Sequence, residues 1–121
     1  KVYKYMNNFN VHILSLKSEI CSLIRKTLDS EHYKITCTSG EMINESFIDR
    51  FNNEVNCLIL DKDIDPKLSK QIKLKFSEIP IICLPSLGSD ISESVNVKYM
   101  SEPFKLSELK KAVEEIAERV Q

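Results

Sequence analysis

Apolar residues in this chain gather in short continuous runs, separated by stretches with helical periodicity. Val11–Leu16 (VHILSL), Val55–Leu60 (VNCLIL) and Ile79–Pro85 (IPIICLP) are apolar at nearly every position, which predicts strands buried on both faces. Tyr33–Thr38 (YKITCT) alternates and is rich in β-branched residues, and Val97–Met100 (VKYM) is short and apolar, so both read as strands. Between them, Ile20, Leu23, Ile24 and Leu28 fall on one face of a helix. Ile43, Phe47 and Phe51 recur every four residues, with Ser39 placed to cap a helix before them. Asp65-Pro66 marks another helix start, with Asp65 read as the capping side chain and proline at the first helical position; its apolar face is Leu68, Ile72 and Phe76. After Pro103, the residues Leu106, Leu109, Val113, Ile116 and Val120 form an apolar stripe, read as packing on a sheet rather than as a coiled-coil seam. The polar segment Ser86–Ser94 leaves room for only a short helix or a loop.

The resulting order is β-α-β-α-β-α-β-(α)-β-α. Strands that are apolar on both faces, alternating with helices, predict an α/β fold with a parallel sheet and right-handed crossovers. Such sheets bind ligands at the carboxyl ends of their strands. Here those ends carry Leu16-Lys17, Asp61, Pro85-Ser86 and Ser101-Glu102. A chain of 121 residues suits one such domain. Residues 11–121 are assigned to it, and the polar, aromatic residues 1–10 are read as an N-terminal extension.

Charge narrows the partners. The net charge of −1 gives no electrostatic reason for direct contact with nucleic acid or an anionic membrane. No apolar run reaches the ~20 residues that span a bilayer, and no apolar secretory segment precedes the first strand, so a cytoplasmic location is expected. The cysteines at 21, 37, 57 and 83 are widely spaced, and are read as reduced small hydrophobes rather than as a disulfide or a zinc site. His12 and His32 are isolated; His12 is read as structural, and no triad can be assembled from them. The alternating acids Asp61, Asp63 and Asp65 resemble the start of a calcium loop. That loop fails at Pro66, where glycine is required, and at Ile72, where its final glutamate is required.

Three segments carry a resemblance to a known family. VHILSLKSEICSLIRKTL resembles the first strand and helix of a response-regulator receiver domain, the flavodoxin-like module of two-component signalling. VNCLILDKDI resembles its third strand, ending in the phosphorylated aspartate. IPIICLPS, with VKYMSEPFKLSELKKAV, resembles its last two strands and last helix. The resemblance implies a doubly wound five-stranded sheet in the order 2-1-3-4-5. The interval from Asp61 to Glu102 is short by roughly ten residues for such a sheet, which implies shortened third and fourth crossovers. It also implies roles, residue by residue. Asp61 matches the phosphoacceptor. The acidic pair that holds Mg²⁺ falls on Leu16 and Lys17, the switch hydroxyl on Pro85 with Ser86 beside it, and the lysine of the fifth strand on Glu102. Tyr99 matches the aromatic switch position, and Asp63 a backbone metal ligand.

These departures remove the chemistry. Phosphoryl transfer to a carboxylate depends on positioning and charge neutralisation. Leu16 offers Mg²⁺ no oxygen, Lys17 repels a cation, Glu102 repels an acyl phosphate, and Pro85 has no hydroxyl. A unit charge pair near ~4 Å is worth roughly 1–4 kcal/mol at surface-like dielectrics, so a reversed sign matters. The expected function is therefore that of a pseudo-receiver of a bacterial response regulator: non-enzymatic, without cofactor, controlling an output domain or partner protein by contact. Two placements are open for Lys17: between Asp61 and Glu102, in place of the metal, or pointing into solvent. The expected contact face comprises Tyr99, Phe104, Leu106 and Leu109, where a homodimer is also plausible. The alternative is a working phosphoacceptor at Asp61, with Mg²⁺ supported by Asp63 or Glu19.

Overall fold

The computed structural model describes residues 9–28, 33–51, 54–84, 96–100 and 105–119. Five parallel strands form one sheet in the order β2-β1-β3-β4-β5. In chain order the elements are β1 (Phe9–Ser15), α1 (Ser18–Leu28), β2 (Tyr33–Ser39), α2 (Glu45–Arg50), β3 (Cys57–Leu60), α3 (Pro66–Lys75), β4 (Ile81–Cys83), β5 (Val97–Tyr99) and α4 (Leu106–Arg119). The expected α/β class and strand order are both present. The segment expected to hold the fourth crossover, Ser86–Ser94, lies outside the described residues.

Alternation along β1 divides the core into two layers. Phe9, Val11 and Ile13 face α1 and α4, which contribute Cys21, Ile24, Leu28, Leu109, Ala112, Val113, Ile116 and Ala117. Leu14, with Leu58, Leu60 and Ile81 of the neighbouring strands, faces α2 and α3, which contribute Phe47, Leu68 and Ile72. Each fully buried Leu or Ile contributes about 1.5–3 kcal/mol relative to exposure. The last helix therefore packs on the sheet, as its stripe implied.

Four expectations are corrected. First, β1 starts at Phe9, which pairs with Tyr33 and is buried, so Phe9 and Asn10 belong to the domain rather than to an extension. Second, no helix starts at Ser39. Gly40, at φ 64°, instead turns the chain into a short 3-10 turn, Gly40–Met42. The helix begins five residues later, where the Asn44 side chain accepts the Phe47 N–H at 3.1 Å; Asn outcompetes Ser39 because it sits where a first-turn amide needs an acceptor. Third, Asp65 holds the cap position before Pro66, but its side chain makes no capping bond. Fourth, Cys21 and Cys37 are joined as a disulfide, with Cα atoms 6.3 Å apart. The crossover lays α1 over the β1–β2 edge, so cysteines distant in sequence meet. Cys57 and Cys83 are free and buried. No helix among the described residues is long and apolar enough to cross a membrane.

Candidate functional site

The pairing of Leu14 with Leu60 sets the site. It brings the next residue of each strand, Ser15 and Asp61, side by side at the carboxyl edge of the sheet. The Asp61 N–H donates to the Leu14 carbonyl at 2.9 Å, so the backbone is held where its side chain leaves the core. Ser15 is fully buried and Asp61 nearly so.

The Asp61 carboxylate is held at both oxygens. The Ser15 hydroxyl donates to Oδ2 at 2.7 Å, and the Lys62 N–H donates to Oδ1 at 2.7 Å. The Lys17 N–H in turn donates to Ser15 Oγ at 3.1 Å. A short relay thus runs from the Lys17 amide through the Ser15 hydroxyl to the Asp61 carboxylate. All of these donors are neutral, and charge-assisted bonds of this length are the stronger kind.

Ser15 is the residue that the sequence reading passed over. That reading ended the first strand at Leu16 and matched Leu16 and Lys17 to the acidic pair. In the structure the strand ends at Ser15, and Leu16 is 43% exposed, directed away from the core. The alternation of β1 carried the signal, because buried positions 9, 11 and 13 put 15 on the inner register.

Lys17 is not an internal cation. Its Nζ lies 3.7 Å from the Asp63 carboxylate, and its side chain is 63% exposed. Of the two placements open for Lys17, the internal one beside Asp61 is not adopted: the chain leaves the sheet at Leu16, so Lys17 projects into solvent and meets Asp63 of the turn after β3. Among the described residues, no group of three or more His, Cys, Asp or Glu is placed to share a metal ion. Pro85, Ser86, Glu102 and Phe104 lie outside the described residues, as does the side chain of Tyr99, whose backbone pairs with Cys83. Leu109 is fully buried in the core and does not form an exposed contact face, whereas Leu106 is half-buried against that core; the α4 stripe turns inward because the sheet lies beneath it. The outer side of α4 instead presents Ser107, Glu108, Lys110, Lys111, Glu114 and Glu115.

His12 is held away from this edge. Its ring nitrogens meet the hydroxyls of Thr36 at 2.6 Å and Thr38 at 2.8 Å, and its ring stands 4.7 Å from that of Phe51. Burial pushes its pKa down to about 4, so the ring is neutral at pH 7. This is the structural role expected of it.

No protein-family model matches the sequence, and no curated protein is similar to it in sequence. Solved structures are similar in fold. A response regulator receiver domain protein from Bacillus halodurans superposes with a TM-score of 0.69 at 20% identity, over 89% of this chain and 96% of that one. A two-component response regulator from Clostridium difficile gives 0.71 at 19% identity, over 93% and 98%. A receiver domain of a Francisella response regulator gives 0.68 at 20% identity, over 94% and 100%. The chain accordingly has the receiver fold, and Ser15 and Asp61 meet at the carboxyl edge of its sheet.

Proposed function

We propose that this chain is a pseudo-receiver: a signalling module of the response-regulator type that acts by protein contact, without phosphorylation of Asp61 and without enzymatic activity. The observation that carries the reading is the hydrogen bond from the buried Ser15 hydroxyl to Asp61 Oδ2. With the Lys62 N–H on Oδ1, it occupies both carboxylate oxygens with protein donors. Each oxygen keeps a further lone pair, but both bonds draw on the carboxylate charge and lower its nucleophilicity. Mg²⁺ prefers a near-octahedral set of hard oxygens with one or two carboxylates. The described residues offer Asp61, already bonded to neutral donors, and Asp63, which faces the Lys17 ammonium. That donor set does not fit Mg²⁺.

Contact then falls to the surface. The outer side of α4, with its mixed charge, is the face we assign to an output domain, a partner protein or a second copy of the chain. The test is thermal unfolding with and without Mg²⁺ and beryllofluoride, comparing wild type with Asp61→Ala. The expected result is no shift in either protein. Binding at 100 times Kd adds about 2.7 kcal/mol, which is several degrees in a domain of this size. A Mg²⁺-dependent rise of that order, lost in Asp61→Ala, would replace this reading with a working phosphoacceptor.

A further inference from the structure

The one covalent link between a helix and the sheet among the described residues joins Cys21, in the first turn of α1, to Cys37 on the edge strand β2. Its two ends differ. Cys21 is buried, whereas Cys37 is half-buried on a strand that pairs on one side only. The other two cysteines are buried like Cys21, but neither is bonded to a half-buried partner. Cys57 is wholly buried in the central strand, where burial pushes its thiol up to about 12, and burial also pushes the Cys83 thiol up. Thiol chemistry needs the thiolate and access to it, so exchange is confined to the Cys21–Cys37 pair.

The link also has a place in the site. The Cys21 N–H donates to the Lys17 carbonyl, and the Lys17 N–H donates to the Ser15 hydroxyl that holds Asp61. Securing the first turn of α1 to β2 thus secures the loop that carries Ser15's partner.

We infer that Cys21 and Cys37 form a reversible thiol–disulfide switch, oxidised by a small-molecule disulfide of the glutathione class and reduced by the corresponding thiol, which sets the rigidity of the loop between β1 and α1. Oxidation begins at the accessible end. The Cys37 thiolate attacks one sulfur of the oxidant, its S–S bond breaks, and one thiol leaves. The Cys21 thiolate then attacks the Cys37 sulfur of the mixed disulfide and expels the second thiol. Two electrons pass from the protein to the oxidant, and the two cysteine protons end on the two departing thiols. Reduction by two thiols reverses both exchanges.

The experiment uses the full chain equilibrated in graded ratios of reduced to oxidised glutathione. Thiols are counted, the cross-link is located by peptide mass mapping without reductant, and melting and backbone hydrogen exchange are recorded. The expected result is four free thiols in the reduced protein, two in the oxidised one, and a Cys21–Cys37 peptide that comes and goes with the ratio. A cross-link closing a loop of sequence separation 16 is expected to raise Tm by about 10 °C. Exchange at Lys17 to Cys21 should speed up on reduction. The melting of Cys37→Ser, and of Cys21→Ala as a second variant, should no longer respond to the ratio. The inference is overturned if the only product is glutathione attached to Cys37, if the folded protein resists reduction at every ratio, or if melting and exchange are the same in both redox states.

Discussion

The two faces of the sheet are built differently, and the difference explains where this protein admits polar groups. On one face, Phe9, Val11 and Ile13 of β1 meet two long helices, α1 of 11 residues and α4 of 14. On the other, the same strand offers Asn10, His12 and Leu14 to α2, of only 6 residues, and α3, of 10. The six-residue helix cannot roof the β1–β2 edge. There the protein places His12, Thr36 and Thr38, which bond one another, and a groove of about 420 Å³ lined by Asn10, His12, Lys34, Thr36, Phe51, Glu54 and Val55. Polar residues enter the sheet where helix cover is thin, and they do so with partners: among the described residues, no buried side-chain polar atom is left without one.

The strongest test of this contrast is a cavity on the well-roofed face. Leu109→Ala removes a fully buried side chain between α4 and the sheet. It should cost about 3–4 kcal/mol, within the usual range for Leu→Ala in a close-packed core. Leu68→Ala, 8% exposed on α3 over the other face, should cost less because water can reach the vacated space. Urea denaturation of both variants decides it. An equal or larger loss at Leu68 would break the comparison.

At the strand ends the contrast closes on a single bond. Ser15 belongs by register to the well-roofed side, yet its hydroxyl serves Asp61. Ser15→Ala should cost about 2 kcal/mol, as a buried hydrogen bond to a charged group is lost. A double-mutant cycle with Asp61→Ala isolates the pair. Strict additivity of the two substitutions would show that the bond contributes nothing, and would remove the main support for the pseudo-receiver reading.

Most of the fold could be read from the sequence, because the signal lay in long-range patterns. Three continuous apolar runs, one alternating run and the 3-4 stripe from Leu106 to Ile116 each have one low-energy packing, and together they fix the parallel sheet. The candidate site was less legible, for reasons of local geometry. Asp61 stood out as an acid ending an apolar run. Ser15 did not, since a serine inside VHILSL reads as filler until strand register sets it against Asp61. Lys17 was misplaced by the same one-residue error in the strand end. The Cys21–Cys37 link was invisible because sequence spacing does not reveal how α1 crosses β2.

On the thinly roofed face the expected signature is a dependence on pH. His12 is held to about 4, against 6.5 when unfolded. Between those values the unfolded chain binds a proton that the folded chain refuses, so stability rises with pH across that window. The contribution is complete above pH 6.5, is lost as pH falls toward 4, and changes no further below it. The full shift is discounted because the groove lets water reach the ring; the remainder is about 1.5 kcal/mol. Urea midpoints at pH 7 and pH 4.5 should therefore converge in His12→Leu relative to wild type. Identical pH slopes in the two proteins would mean that the folded ring takes up its proton as readily as the unfolded one, and that its burial beside the threonines does not hold it neutral.

The smallest effect belongs to the most conspicuous charge near the site. Lys17 stands within 3.7 Å of Asp63, but its side chain is 63% exposed. An exposed pair gains little in high dielectric and loses side-chain entropy, so Lys17→Ala should change stability by less than about 0.5 kcal/mol. Its backbone amide, which alanine retains, is the part that reaches Ser15. Lys17→Pro deletes that amide and keeps the loop position, so it should destabilise more than Lys17→Ala does. Comparing the two by urea denaturation separates the ammonium from the N–H. If Lys17→Ala proved the more damaging, the site would depend on a positive charge after all, and Asp61 would have to be read again as a carboxylate that needs a cation beside it.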